Sequence, residues 1–291
     1  MHWLVLTLFA AFMQAWRNAF QKQLSQHAPV LGVTLARFLF AWPLALLWLG
    51  HYYLQDATLP RPAFTPAWCG YIGGAASAQI AATALLVQLF RRKNYAIGVG
   101  LARSEAILAA ILGVACFSTH LSAAGWLGVL TGAVAVFILS GASLRQLSAH
   151  VLALGLGSGL CFALTSLWVR QAAIALPLPA LPAAAWVLAS VLILQTVLLL
   201  GWLIARDRAA LRQLLAQRKL ALATSTASFF GSLGWFSAMR LQDVAIVKTV
   251  GQIEVLFMLA ISICYFREKL QKQDGLGLAL IVIAALLVVW A

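Results

Sequence analysis

Long apolar runs follow one another along the whole chain, each about the length of a membrane-spanning helix. A helix needs roughly 20 apolar residues to cross the hydrocarbon core of a bilayer. The pattern predicts ten such helices, near residues 3–23, 30–50, 67–90, 95–117, 123–141, 150–171, 182–204, 219–240, 244–266 and 274–290. Because the runs are continuous and do not alternate, they exclude the strands of a β-barrel membrane protein.

The amino-acid composition agrees with a membrane-embedded class. Of the 291 residues, 63% are hydrophobic and only 9% are charged, whereas soluble domains are about a quarter charged. We therefore predict an all-α integral membrane protein. The first run has no charged leading segment and no small-residue cleavage site, so it is expected to be a retained helix and not a signal peptide.

The two halves of the chain repeat one another at a constant offset of 149 residues. The boundaries of the apolar runs coincide across this offset, and so do several identical residues. The matching pairs are Arg91 and Arg240, Ala96 and Ala245, Ile97 and Ile246, Glu105 and Glu254, Phe117 and Phe266, Leu121 and Leu270, Leu127 and Leu276, and Gly128 and Gly277. We predict two five-helix repeats, residues 1–142 and 150–291. Because five is odd, the second repeat would be inverted in the bilayer, as in many secondary transporters.

Basic residues concentrate in alternate loops, which predicts an orientation in the membrane. When each loop takes the number of the helix it follows, the odd-numbered loops carry 14 of the 20 Lys and Arg residues, with Arg17 counted among them. The even-numbered loops carry three, Arg61, Arg170 and Arg240. This bias places the odd loops in the cytoplasm and both termini outside, and it accounts for the net charge of +13 without nucleic-acid binding. The segment 206–219 is predicted to form an amphipathic helix on the cytoplasmic surface.

Two glutamates, Glu105 and Glu254, lie at matching positions inside apolar runs. A charge near mid-bilayer costs roughly 3 kcal/mol on insertion scales, so it persists where it is functional or well paired. An apolar cavity disfavours the ionised carboxylate, which would let such a residue exchange protons near neutral pH or bind a cationic solute. The alternative is a structural salt bridge that locks helices together. The functional interpretation is favoured, and predicts a shared site on the axis between the repeats.

Three bases, Arg37, Arg103 and Lys248, also lie inside the predicted helices and are candidate partners. With two acids they would leave one surplus positive charge, which could attract an anionic group. Arg103 and Glu105 project about 200° apart around a helix, so each acid is expected to pair across helices. For Lys248, one turn into its helix, snorkelling to the interface is favoured, while for Arg37 either role is open.

Polar and aromatic residues add a second layer of candidates for binding a solute. The same helices also carry Arg17, Asn18, Thr165 and Ser166. The candidates chosen for the site are Gln14, Trp16, Gln79, Thr83, Trp168, Thr226, Trp235 and Gln252. The alternative for most of them is an interhelical hydrogen bond worth under about 1 kcal/mol or an interfacial tryptophan anchor. As a set, they predict a polar cavity between the helices.

The chain resembles drug/metabolite transporters of the EamA type over essentially its whole length. The resemblance rests on the paired halves, on Arg37 within TLARFLFAWPLAL, and on the end of the ninth helix. That last motif comprises Phe266, Glu268, Lys269, Leu270, Gly275 and Gly277, whereas the first half has Thr119 in place of Glu268. The resemblance implies solute transport, often efflux, in a multi-pass protein of a bacterial inner membrane. It also implies cytoplasmic termini, opposite to the charge bias.

The sequence contains no pattern typical of an enzyme, a metal site or a nucleotide-driven pump. A phosphate-binding GxxxxGK[ST] loop is missing, the five histidines are dispersed, and the four cysteines lie singly. No cofactor is expected, and the expected partners are a small-molecule solute, protons and lipid, with a monomeric or homodimeric chain. We predict a transporter that exports a small metabolite or xenobiotic by alternating access with proton coupling. The alternatives are a proton-independent facilitator or exchanger of an anionic solute using Arg37 and Arg103, a membrane-embedded lipid-processing enzyme, and a non-transporting scaffold.

Overall fold

The computed structural model describes residues 2–91, 101–139, 148–264 and 272–290, and all regular secondary structure in these ranges is helical. The repeat matches at Ala96, Ile97, Phe266 and Leu270, and the motif residues Glu268 and Lys269, lie outside the described residues. The helices are α1 (His2–Leu24), α2 (Val30–Ala36), α3 (Ala41–Gln55), α4 (Pro66–Phe90), α5 (Glu105–Phe117), α6 (Ala123–Leu139), α7 (Ala149–Ile174), α8 (Ala180–Arg206), α9 (Arg208–Ala216), α10 (Arg218–Leu241), α11 (Val244–Gly251), α12 (Glu254–Cys264) and α13 (Lys272–Val289).

Every predicted apolar run has a helical counterpart in the described ranges, but three runs are interrupted. The second run divides into α2 and α3 at residues 37–40, the fourth has a turn at residues 103–104 just before α5, and the ninth divides into α11 and α12 at residues 252–253. The first interruption follows from Pro43, because its ring lacks an N–H and clashes with the carbonyl four residues earlier. The predicted amphipathic segment forms α9, which buries Leu214 and leaves Leu215 exposed.

Five of the described helical segments are long and apolar enough to cross a membrane. They are Val30–Gln55, Pro66–Phe90, Ala149–Ile174, Ala180–Arg206 and Val244–Ile261, and shorter apolar helices lie at Glu105–Phe117, Ala123–Leu139 and Leu276–Val289. α1 and α10 are long enough, at 23 and 24 residues, but carry more polar residues. Large apolar side chains on the outer surface, such as Leu47 and Val197, suit contact with lipid.

Three helix pairs form the most extensive contacts: α1 with α10, α4 with α7, and α6 with α13. Glycine permits the close approach in each pair. A Cβ placed on Gly234 of α10 would lie 2.8 Å from Ala10 Cβ of α1, and one on Gly74 of α4 would lie 2.9 Å from the Trp168 ring of α7. The two most polar of the long helices, α1 and α10, therefore pack against each other.

The contact between α6 and α13 has the same geometry at both of its ends. A Cβ on Gly128 would lie 2.3 Å from Val288 Cγ2, and a Cβ on Gly277 would lie 2.3 Å from Leu139 Cγ. Gly128 and Gly277 are equivalent under the offset of 149 residues, and so are Leu139 and Val288. The two helices thus exchange equivalent contacts.

Gly128→Ala is expected to destabilise the protein by about 1–3 kcal/mol, because the added methyl overfills a packed contact that includes the Ala284 carbonyl at 3.0 Å. The matched control is Gly201→Ala in α8, where a Cβ would meet no atom within 4 Å. There the substitution should be neutral or stabilise by up to about 1 kcal/mol, since alanine favours a helix. Unfolding of both variants in detergent tests this. Equal effects at the two positions would show that the α6–α13 contact is loose.

Candidate functional site

Glu105 and Glu254 are each the first residue of a helix that follows a two-residue break. α5 begins at Glu105 after a turn at residues 103–104, and α12 begins at Glu254 after a turn at residues 252–253. Each turn contains a backbone hydrogen bond to the residue three positions earlier, instead of the four of an α-helix. These bonds run from Ser104 N to Leu101 O at 3.1 Å and from Gln252 N to Thr249 O at 3.2 Å. Because the free N–H groups and dipole of a helix N-terminus favour negative charge, both positions suit a carboxylate.

Glu254 is completely buried and surrounded by donors. Arg103 binds it through both terminal nitrogens, with Nη2 2.7 Å from Oε1 and Nη1 2.8 Å from Oε2. Asn18 donates to Oε1 at 2.8 Å, and Gln14 donates to Oε2. The carboxylate thus accepts four hydrogen bonds, close to the full capacity of its lone pairs, and is held in one position.

Glu105 has a looser environment on the opposite side of the same cluster. Its Oε1 lies 2.7 Å from Lys248 Nζ and accepts a hydrogen bond from Ser166 at 3.0 Å. Lys248 Nζ also lies 4.4 Å from the centre of the Trp235 ring, whose indole N–H donates to Gln14 Oε1 at 2.9 Å. This chain of contacts joins the two acid–base pairs, since Gln14 in turn binds Glu254.

Both acids therefore pair across helices, as the helical geometry predicts. The prediction that Lys248 snorkels to the interface is wrong. The first turn of α11 lies inside the protein, where Val244 is 1% exposed, so the interface is out of reach and the ammonium group turns toward Glu105.

Two further arginines are buried beside the pairs. Arg37 lies in the interruption between α2 and α3, donates to Thr83 at 2.8 Å, and lies 5.6 Å from the centre of the Phe162 ring. Arg17 donates to Asn18 Oδ1 at 3.0 Å. Its assignment to a loop was wrong, because α1 continues to Leu24 and places Arg17 two turns inside the helix.

These residues enclose two small cavities. The central cavity has a volume of about 50 Å³, and a neighbouring cavity of about 20 Å³ adjoins Glu254. The central cavity is lined by Gln14, Arg37, Gln79, Arg103, Glu105, Trp235 and Lys248 from the predicted set, and by Arg17, Asn18, Thr165, Ser166 and Ser232 in addition. At roughly 10–15 Å³ for each water, it has room for only a few waters, which is a contracted site compared with the pockets of drug-sized ligands.

A larger vestibule of about 350 Å³ leads from one end of the molecule toward this cluster. Arg170 and Asp243 line it and form an ion pair of 2.7 Å. Its inner wall includes Ala109 and Ala245, which lie one helical turn from Glu105 and Lys248. The vestibule therefore ends about 5 Å along the helices from the looser acid–base pair.

Not every predicted candidate lies at the cavities. Trp16 is half-buried 5.7 Å from the Phe20 ring, Trp168 packs against Gly74, and Thr226 is half-buried on α10; none of the three lines a cavity described here. Gln252 lines the smaller cavity beside Gly132 of α6. The predicted role of these two tryptophans and Thr226 in binding a solute stays a prediction, since none of them lies at the cavities that the other candidates line.

Several buried polar residues at or beside the cavities lie outside the set of candidates predicted from the sequence. Arg17, Asn18 and Ser166 stand beside chosen residues on the same helices. Gln195 of α8 was missed altogether; it is fully buried and donates to Gln79 at 2.7 Å. A glutamine within the most apolar of the long spans was the signal available for it.

Comparison with known proteins shows a family match for just under half of the chain. Residues 150–290 match the sequence model of the EamA-like transporter family. The matched part, 141 of the 291 residues and all within the C-terminal half, is thus similar to this family. The resemblance inferred from the sequence motifs is thereby confirmed for that half, and the protein is a multi-pass membrane protein related to transporters of small solutes. Members of this family are transporters and not enzymes.

The fold also matches a known architecture. One solved crystal structure aligns with 98% of this chain and 98% of its own chain, with a TM-score of 0.73 and 16% sequence identity. At that identity the match shows a shared fold alone. None of the curated proteins matches the sequence.

Proposed function

We propose that this protein is a secondary active transporter that exports a small metabolite or xenobiotic by alternating access, coupled to protons. The observation that carries the proposal is the cluster joining Glu105 and Glu254. The two carboxylates come from equivalent helix starts in the two halves, and each pairs with a base of the other half: Glu105 with Lys248 and Glu254 with Arg103. Ion pairs that join the two halves in this way, here called interhalf pairs, are suited to break and re-form as the halves move.

The pattern of helix contacts supports two inverted repeats. Under the offset of 149 residues, α1 corresponds to α7 and α4 corresponds to α10, so the α1–α10 and α4–α7 contacts are equivalent. The exchange of Gly128 and Gly277 contacts between α6 and α13 is a second instance. The helix breaks before Glu105 and Glu254 are a third, and broken helices at the repeat interface are typical of transporter binding sites.

The vestibule supports access from one side at a time. It opens at the end that carries residues 118–122 and Asp243, which belong to the even-numbered loops. The charge bias places these loops outside the cytoplasm. The state described here is then an outward-facing one, in which a single helical turn separates the vestibule from Glu105.

Glu105 is the better-placed proton carrier of the two acids. It lines both small cavities, and its side chain is 15% exposed, whereas Glu254 is fully buried and saturated with donors. Protonation of Glu105 would release Lys248 and weaken one of the two interhalf pairs. Proton uptake at this carboxylate would thereby be coupled to the movement of the two halves.

Alternating access predicts reciprocal labelling of two cysteines placed at opposite depths. In a background without the four native cysteines, Gln171→Cys lines the vestibule, and Leu86→Cys lines the central cavity. An impermeant maleimide added at the vestibule end should label Gln171→Cys readily and Leu86→Cys at a rate at least about tenfold lower, because the intervening turn blocks the path. Acidifying the vestibule side should lower the labelling rate of Gln171→Cys. It should also raise the rate at which maleimide added on the opposite side labels Leu86→Cys.

The control is a cysteine outside the cavities. Leu54→Cys, on the 88% exposed Leu54 at the end of α3, should label at a rate that does not depend on the imposed pH gradient beyond the reagent's own chemistry. Rates at Gln171 and Leu86 that stay fixed under every gradient would favour a non-transporting scaffold.

A further inference from the structure

The cavities of the cluster are lined by more positive than negative groups. Among the described residues that line them, Arg17, Arg37, Arg103 and Lys248 are cationic and only two residues are acidic, Glu105 and Glu254. Arg103 and Lys248 are each bound to one of these carboxylates. The remaining two cations, Arg17 and Arg37, have no carboxylate partner in the described part of the chain.

Both of these arginines are almost fully buried and incompletely hydrogen bonded. Arg17 is 2% exposed and Arg37 is 3% exposed. Nη1 of Arg17 and Nε of Arg37 have no hydrogen-bond partner among the described residues, although both side chains line the central cavity. A buried cation without a counter-ion is strongly unfavourable, so an anion in this cavity would satisfy both groups at once.

The acids of the cluster are poorly available to a cationic solute. Glu254 already accepts four hydrogen bonds, and Glu105 is bound by Lys248 and Ser166. An amine would have to displace an internal cation, whereas an anion meets free guanidinium donors. Arginine is also the side chain best shaped to bind a carboxylate through two parallel hydrogen bonds.

We propose that the transported solute is a small organic carboxylate, bound between Arg17 and Arg37 with its apolar body against the aromatic wall once the contracted cavity has widened to admit it. That wall is formed by Phe162, Trp235 and Phe236, which line the same cavity. The proposal rests on the transporter function argued above and names its substrate class.

The test compares three probes that share one body and differ in charge: benzoate, benzyl alcohol and benzylamine. Each is titrated against the purified full-length protein in detergent, and the midpoint of thermal unfolding is recorded. Benzoate should raise the midpoint with a dissociation constant at least about tenfold lower than those of the other two, because only it can accept charge-assisted hydrogen bonds. This series uses the unmodified chain, so it does not depend on whether any variant folds.

Variants then locate the site. Arg17→Gln and Arg37→Gln should each weaken benzoate binding at least about tenfold, and Arg17→Lys and Arg37→Lys should recover part of it. Arg212→Gln, at an exposed arginine of α9, is the matched control and should leave binding unchanged. A stronger response to benzylamine, an equal response to all three probes, or no response to benzoate would overturn the proposal.

Counterflow in proteoliposomes separates this proposal from the transport function. Exchange of benzylamine or benzyl alcohol in preference to benzoate would retain a transporter and reject the anion. Tight, Arg17-dependent binding of benzoate without any exchange would retain the anion site and reject transport.

Discussion

Replacing Arg103 by methionine is expected to lower the free energy of unfolding by about 3–5 kcal/mol, because it leaves the carboxylate of Glu254 buried without a counter-ion. Arg103 is the only cation paired with Glu254 in the described residues, and it makes two of the four hydrogen bonds to this fully buried group. Gln14 and Asn18 are neutral and cannot replace the charge. The measurement is unfolding in mixed micelles with rising SDS content, followed by tryptophan fluorescence.

A second substitution distinguishes lost charge pairing from lost packing. Glu254→Gln keeps a group that can still bond with Gln14 and Asn18, so the double variant Arg103→Met, Glu254→Gln should recover more than half of the loss. The exposed Arg212→Gln should stay within about 0.5 kcal/mol of the parent protein. If Arg103→Met behaved like Arg212→Gln, the pair with Glu254 would not be a buried ion pair.

The sequence was sufficient to locate the helices because each apolar run has the length that a bilayer requires. The exceptions are informative. α1 and α10 were recognised from their overall apolar pattern, yet they are too polar to be among the five segments that are long and apolar enough to cross a membrane. Their polar residues face each other and the cavities, not lipid, and average hydropathy does not record which face of a helix is polar.

The interruptions inside helices were less predictable. Pro43 gave a signal for the one between α2 and α3, whereas the breaks before the two glutamates have no proline to mark them. They depend instead on tertiary packing: a Cβ on Gly159 of α7 would lie 2.4 Å from Ser104 Oγ, and one on Gly251 would lie 2.2 Å from the Trp235 ring. Contacts between distant segments of this kind cannot be obtained from local pattern.

The central acids were found because charge is rare in this chain, but their partners depended on position along each helix. Arg17 was placed in a loop and Lys248 at the interface, since each stands within two turns of a helix end. In the structure, both helix ends are covered by protein, so a position near an end does not imply access to water. The sequence predicted one surplus positive charge from Arg37, Arg103 and Lys248, and the buried Arg17 raises that surplus to two, which strengthens the case for an anionic solute.

Glu105→Gln is expected to reduce solute-driven proton movement at least about tenfold, because an amide cannot carry the proton that the carboxylate would exchange. Glu105 lines both small cavities and is bound through Oε1 alone to Lys248 and Ser166 among the described contacts. Glutamine preserves an acceptor for Ser166 but cannot take up a proton. Proteoliposomes with trapped pyranine would report the pH change when pools of organic anions, amines or neutral alcohols are added outside.

Glu254→Gln provides the comparison because the two acids are equivalent in the repeat but not in their surroundings. Glu254 is enclosed by four donors and has no exposed surface, so its substitution should act on stability through Arg103 and leave the proton dependence of the remaining flux in place. Glu105→Gln should show the opposite pattern, a folded protein whose flux no longer responds to pH. Proton movement that survives in Glu105→Gln and disappears in a stably folded Glu254→Gln would exchange the roles of the two carboxylates, and movement that survives in both would remove proton coupling from the mechanism.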